Sequence, residues 1–366
     1  MGERWSEKHA WEWYNSIPWL RGCNFLSSDC CNRIDQLQEE GFEKRLTTAD
    51  RELELASSIG YNTIRMILQF EVWDEQHDGF MQRLDRYLHT ADKHGISVML
   101  CFGNDCCVPK DENYKPLRMG KQHYDWGYHG GRANSPHAHF KEVGYNILDD
   151  PDIAPRVYEM VGEVIARYKD DRRVVIWDLY NEAGNSNRDC ITIPHVKKFF
   201  EIAREINPSQ PLTSCLWKGL NGTNKLPEVE EYIAGNSDII SYHHYGNFDV
   251  NIQVIERLKD YGRPIVNTEW LNRMTHNNLD TLFPIFYLEH IGCYNWGFVA
   301  GLSQTYEPWE GLWTRYYERG QRDIDFTKWQ HDLFRPSLRP YDPKEIEVIQ
   351  KYSRLADERF AEIHDL

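Results

Sequence analysis

The sequence predicts an α/β chain closed into a (β/α)8 barrel, the TIM-barrel arrangement. Three observations carry that expectation. Short apolar runs alternate with amphipathic helical stretches along the chain. Eight such strand-then-helix units follow in order, and strands that alternate with helices imply a parallel sheet. The strand runs are apolar throughout, as expected where both faces are buried. A doubly wound open sheet is the competing arrangement, but neither G-x-G-x-x-G nor a phosphate-loop motif follows any of the strands.

The units read as follows. Trp19–Leu26 is the first strand. Thr47–Ile59 is a helix opened by a capping box of Thr47 and Asp50 and closed by Gly60. Asn62–Leu68 is the second strand. Phe80–His94 is a helix with Phe80, Leu84, Leu88 and Ala91 on one face, stopped by Gly95. Ile96–Phe102 is the third strand, followed by a long polar and aromatic insertion from Gly103 to about Asp150. A helix at Pro151–Tyr168, a strand at Arg173–Tyr180 and a helix at Ile191–Ile206 come next. Leu212–Leu216, Asp238–His243, Pro264–Glu269 and Cys293–Phe298 are the last four strands. Between and after them come helices near Glu228–Ala234, Asp249–Lys259, Asn278–His290 and Pro343–Glu358, with a second long insertion at Val299–Asp342. No Pro/Gly/Ser linker divides the chain, so residues 1–366 read as a single domain.

Lys and Arg total 42 against 57 Asp and Glu, a net charge of −15. That balance repels phosphate backbones and anionic lipid, so nucleic acid and membrane surfaces are excluded as partners. The nine Cys form no C-x-x-C pair, and two pairs are vicinal, Cys30–Cys31 and Cys106–Cys107. In a chain of this size they read as reduced, inert thiols. Met1–Trp19 has no apolar signal region and no run is long enough for a membrane helix, so a cytoplasmic location is expected. Oligomeric state is not legible. Aromatic residues are 13% of the chain, with 13 Trp and 21 Tyr, and aromatic faces stack on sugar rings.

A barrel of this kind carries its site at the C-terminal ends of its strands. Those ends place Asn24 on the first strand, Arg65 on the second, and Asn104 and Asp105 on the third. Asn181 and Glu182 end the fourth and Trp217 the fifth. His243 and Tyr245 end the sixth, Glu269 the seventh and Trp296 the eighth. Cleaving an acetal needs one group to protonate the leaving oxygen and another to meet the developing oxocarbenium ion. Glu182 and Glu269, facing each other across the barrel mouth, are suited to the general acid/base and the nucleophile. Arg65 would keep the nucleophile ionised, and the acid would need a raised pKa. His243 and His244 alternate faces, so only one can point into the mouth.

Ile176-Trp177-Asp178-Leu179-Tyr180-Asn181-Glu182 resembles the strand-4 Asn-Glu motif of glycoside hydrolase clan A, in particular of family 5-like cellulases. Gly22-x-Asn24, Arg65, His243-x-Tyr245, Glu269 and Trp296 agree, so the resemblance spans about residues 19–300. It implies that Asn181 hydrogen-bonds the sugar 2-hydroxyl, that Tyr245 touches the nucleophile and that His243 bridges to the acid/base. It also implies that Trp296 floors the −1 sugar. The Pro that usually follows Asn-Glu is Ala183 here, and Asn104-Asp105 replaces the His pair common near strand 3. The expected activity is retaining hydrolysis of β-glycosides, with a tilt toward exo action because both long insertions can wall the cleft. A transglycosylase and a catalytically silent carbohydrate-binding barrel are the alternatives; retention of both Glu residues argues against the silent barrel. Trp309 and Trp313 stand equally as core or sugar platform. His123, His129, His137 and His139, with Tyr124, Trp126 and Tyr128, read as a substrate-shaping loop, since no zinc-like spacing appears. No metal or cofactor is expected.

Overall fold

The computed structural model describes residues 2–110, 116–123, 142–222 and 225–365. Its strands are β1 (Arg21–Asn24), β2 (Thr63–Ile67), β3 (Ser97–Asn104), β4 (Val174–Asn181), β5 (Leu212–Thr213), β6 (Cys215–Leu216), β7 (Ile240–His243), β8 (Ile265–Trp270) and β9 (Gly292–Asn295). They form one sheet in the order β5-β4-β3-β2-β1-β9-β8-β7-β6, and every ladder is parallel. The two edges of that sheet, β5 and β6, are consecutive in the chain and separated by Ser214 alone. They are the halves of the expected fifth strand, Leu212–Leu216. Ser214 donates its hydroxyl to the Tyr180 carbonyl at 2.6 Å, so the chain itself closes the (β/α)8 TIM barrel where the ladder lapses.

The helices are α1 (Glu7–Asn15), α2 (Arg33–Leu37), α3 (Phe42–Ser58), α4 (Phe70–Glu75), α5 (His77–Lys93), α6 (Ala154–Tyr168), α7 (Ile193–Ile206), α8 (Glu228–Asn236), α9 (Phe248–Lys259), α10 (Leu279–Leu288), α11 (Glu310–Tyr317) and α12 (Pro343–His364). One long helix follows each barrel strand, and the main core lies between the strand ring and that helical ring. On α6, Val157, Met160, Val161, Val164, Ile165 and Tyr168 recur at helical spacing and are all buried.

Helix α3 differs from expectation. It starts at Phe42, after Gly41 in the left-handed region at φ 75°. Thr47 lies inside it and donates to the Glu43 carbonyl at 2.9 Å, while Asp50 pairs with His94 at 2.6 Å and Lys93 at 3.0 Å. The reason is magnitude. Burying the Phe42 ring is worth about 2 kcal/mol, more than the roughly 1 kcal/mol of a Thr cap, so the helix extends back to cover the core.

Helix α1 has no counterpart among the expected elements. Ala10 and Tyr14 pack with Leu20, Met99, Ile176, Ile239, Val266 and Tyr294 in a second core cluster at the N-terminal end of the barrel. Trp11 Nε1 donates to the Gly262 carbonyl at 2.8 Å and Tyr14 to that of His290 at 3.1 Å, so α1 is pinned across the barrel floor. The opposite end carries the long connections. After β9 the chain returns along itself through bridges Val299–Phe334 and Phe334–Pro340. The group His129, His137 and His139 with Tyr124, Trp126 and Tyr128 lies outside the described residues. Among the described residues, no helix is long and apolar enough to cross a membrane.

Candidate active site

Arg65 is the centre from which the site is built. It projects from β2, is 1% exposed, and has its charge met on several sides. Its Nε donates to Asp178 at 2.8 Å and its Nη1 to both Asn24 and Glu269 at 2.8 Å. Its Nη2 donates to Asn181 at 2.6 Å. Gly22 lets β1 come this close to β2, since a Cβ there would collide with the Thr63 carbonyl. One guanidinium thus fixes side chains from β1, β4 and β8 in a single plane of donors, a task its rigid fork suits.

Glu182 follows β4 with φ 46°, a left-handed conformation that a non-glycine residue holds only when its surroundings impose it. Two anchors do so. The Glu182 amide meets Cys215 Sγ at 3.0 Å, and the loop beyond is tied to Asp105. Asp105, expected to touch substrate, is instead fully buried and structural. It pairs with Arg188 at 2.9 Å, accepts the Gly184 amide at 2.7 Å and the Tyr180 hydroxyl at 2.9 Å, and also accepts Thr192. The next residue after a strand end turns inward as often as out, and here a carboxylate was needed to hold the loop that presents Glu182. Asn104 is likewise a positioning group: its Oδ1 accepts Asn181 Nδ2 at 2.8 Å. Trp217 is half-buried, and its Nε1 donates to the Ala183 carbonyl at 3.0 Å, covering the same turn.

The remaining expected residues converge. His243 Nδ1 lies 2.8 Å from Glu182 Oε1 and 3.4 Å from Glu269 Oε2. Its Nε2 has no partner among the described residues, which favours a ring proton on Nδ1, facing the carboxylates. His244 points the other way, to Asn221 at 2.8 Å, and burial lowers its pKa to about 4. Tyr245 donates to Glu269 Oε2 at 2.9 Å and stands edge-on to Trp309, with ring centres 4.8 Å apart. Trp313 stacks on Phe326, with ring centres 4.1 Å apart.

Ligand atoms of Glu182, His243 and Glu269 lie within 4.8 Å of one another, a spacing that could hold a metal ion. The Arg65 guanidinium on Glu269 already supplies positive charge there.

Charge in the pair runs opposite to expectation. Burial pushes the Glu182 carboxyl up, but the hydrogen bond and charge of His243, then donors Cys106 and Asn185, outweigh it and hold it down at about 2. Glu269 is raised instead: burial dominates and the Glu182 charge adds, against His243, Arg65 and Tyr245. Arg65 touches Glu269 as expected, yet one shared cation does not overcome full desolvation of that carboxyl.

Four groups escaped the sequence reading. Cys106 Sγ lies 3.1 Å and Asn185 Nδ2 2.5 Å from Glu182 Oε2. Their signal was only nearness to strand ends. Asp178, partner of Arg65, had a better one: an acid in one apolar strand and a base in another, each otherwise unpaired. Asp332 is fully buried and accepts Thr305 at 2.8 Å on both oxygens, and burial raises it to about 7. It lines, with Asn24, Phe25, Arg33, Trp296 and Thr305, an open cleft that also reaches Arg65.

Relatives agree with this architecture. Structural neighbours include the exo-β-1,4-mannosidase of Opitutaceae bacterium strain TAV5, at TM-score 0.57 and 13% identity over 94% of this chain and 60% of that one. GH5_18 from Streptomyces cattleya, in complex with GlcNAc, matches at TM-score 0.57 and 11% identity over 92% and 80%. The β-1,4-D-mannanase of Cryptopygus antarcticus matches at 0.54 and 12% over 92% and 90%. At these identities the likeness is one of fold. A β-glucuronidase from Paenibacillus borealis is 25% identical over 118 residues, 31% of this chain and 19% of that protein. The chain thus spans about a fifth of that curated relative's length. The family model for cellulase, glycosyl hydrolase family 5, matches residues 36–329. The chain belongs to glycoside hydrolase family 5.

Proposed function

We propose that this protein is a glycosidase that hydrolyses β-glycosides with retention, by double displacement, with Glu269 as nucleophile and Glu182 as general acid/base. The observation that carries the reading is the short bridge Glu182–His243–Glu269, in which one ring nitrogen meets both carboxylates at 2.8 and 3.4 Å. Carboxyls that close, in the range of roughly 5 Å typical of retaining enzymes, leave no room for a water between sugar and nucleophile. In the first displacement Glu182 gives a proton to the leaving oxygen while Glu269 attacks the anomeric carbon. In the second, Glu182 takes a proton from water, which displaces Glu269. Tyr245 and Arg65, one on each oxygen of Glu269, disperse the charge that leaves and returns. Each turnover returns to Glu182 the proton it gave, taken from the attacking water, and His243, with Nδ1 in contact, orients the carboxyl.

Asn181, with Oδ1 on Arg65 and Nδ2 on Asn104, is held to meet the sugar 2-hydroxyl, and Trp296 floors the reacting sugar. Asn24 lines the glycone side. Gly297, Phe298, Val299, Ser303 and Thr305, which follow β9, wall the cleft beside Arg65 and Trp296, and that wall supports action on short or terminal glycones. The test is a panel of aryl β-mannosides, β-glucosides and β-glucuronides, with wild type and Glu269→Ala. The variant should lose on the order of 10³-fold or more in kcat and, with azide, yield a glycosyl azide of inverted configuration. Near wild-type turnover by Glu269→Ala overturns the assignment.

A further inference from the structure

We propose that Cys106 is a positioning residue whose thiol follows the proton of Glu182, donating to the carboxylate and accepting from the carboxylic acid. The inference rests on the acid/base reading of Glu182 given above.

A thiol is both a weak donor and a weak acceptor through the same atom. Cys106 Sγ lies 3.1 Å from Glu182 Oε2, on the oxygen that His243 does not touch. Its sulfur is held in place from the other side. Asn181 Nδ2 reaches it at 3.6 Å and Asn185 Nδ2 at 3.5 Å, within the longer reach of sulfur. Its backbone is pinned by one side chain: Asn104 accepts the Cys106 amide at 3.2 Å and donates to its carbonyl at 3.3 Å. Three polar residues of the site therefore fix where this sulfur stands.

The two displacements need opposite hydrogen bonding at Glu182. Before the first, Glu182 carries its proton until the leaving oxygen arrives, and its O–H donates a hydrogen bond to the sulfur lone pair. In the second, Glu182 is a carboxylate collecting a proton from water, and the S–H turns to donate to it. An Asn in this place could only donate through nitrogen, and a carboxylate could only accept. The thiol keeps its own proton throughout, because burial first, then the charges of Glu182 and Glu269, push its pKa well up. It is no nucleophile, and no bond to sulfur forms or breaks.

The test compares Cys106→Ala, Cys106→Ser and the volume-matched Cys106→Val with wild type. Each is read as the pH dependence of kcat/KM on an aryl β-glycoside with a poor leaving group. Loss of a donor to the carboxylate should move the limb set by Glu182 upward by about half a pH unit in the Ala and Val variants. It should also lower kcat about tenfold, the effect of one lost hydrogen bond in the transition state. The hydroxyl of Cys106→Ser, which both donates and accepts, should return kcat to within about threefold of wild type. Ala and Val profiles that superimpose on wild type would overturn the proposal. A Ser variant as impaired as Ala would also overturn it, since the sulfur would then act by packing alone. Glu182→Gln run beside them separates the two readings: if it leaves the rate intact, Glu182 is not the acid and the underlying assignment fails independently of Cys106.

Discussion

His243 touches both carboxylates and donates to Glu182, the acid of the proposed mechanism, so its removal has a direction that can be worked out. Its hydrogen bond and charge are the largest influences holding Glu182 down against burial. A group that favours the ionised form lowers a carboxyl pKa, so taking it away raises that pKa. His243→Phe keeps the ring volume and removes the donor. The limb of the kcat/KM profile that Glu182 controls should then move to higher pH, and kcat should fall by about tenfold as the carboxyl loses the hydrogen bond that orients it. Measurement of the pH profile for wild type and variant checks this; an unmoved limb would show that His243 does not hold the Glu182 carboxyl down. At this scale the sequence was most legible where a residue ends a strand. Arg65, Asn181, Glu182, His243, Tyr245 and Glu269 were expected there and are brought together there. Asp105 was not read correctly, because one residue past a strand the backbone path decides whether a carboxylate meets sugar or, as here, Arg188. The pKa order was also not legible: it depends on which donors reach which oxygen, and Cys106 and Asn185 come from loops whose course no periodicity reports.

The segment that follows β9 is the element with the clearest pH signature. It places Asp332 in a fully buried position with one hydroxyl for both oxygens, and burial raises its pKa to about 7. A carboxyl raised in the folded state favours the folded form below its unfolded pKa. That stability is lost as pH climbs through the folded value, here between about 4 and 7. Three units correspond to about 4 kcal/mol at most. Asp332→Asn cannot ionise, so its urea unfolding free energy should decline less over that window than wild type's. Glu52, also raised to about 7 by burial, keeps its own share in both proteins. Curves of equal slope for the two proteins would show that Asp332 ionises freely in the fold. Elements with strong periodicity, such as α5, α6 and β2, were legible to within a few residues. Helix α3 was misplaced at its start because a buried Phe42 outweighed a plausible cap. Helix α1 was missed because it is short and its partners, such as Gly262 and His290, are distant in sequence.

The whole barrel brings the ends of β4 and β8 to one axis, and that closure is what makes two remote Glu residues a pair. Eight alternating units in the sequence were enough to foresee it, although the break at Ser214 was not: the fifth strand reads as one apolar run, and only its two ladders show where pairing changes partner. Closure carries the proposed stereochemistry. With His243 meeting both carboxylates within 3.4 Å, the proposed mechanism has Glu269 attack the anomeric carbon itself, with water arriving only in a second step. Two inversions restore the starting configuration. An inverting enzyme would hold its carboxyls roughly 6.5–9.5 Å apart, with a water between sugar and base. The most direct measurement is proton NMR of the first product released from a β-linked substrate, recorded before mutarotation. The β-anomer should appear first and the α-anomer grow in later. An initial α-anomer would contradict the account.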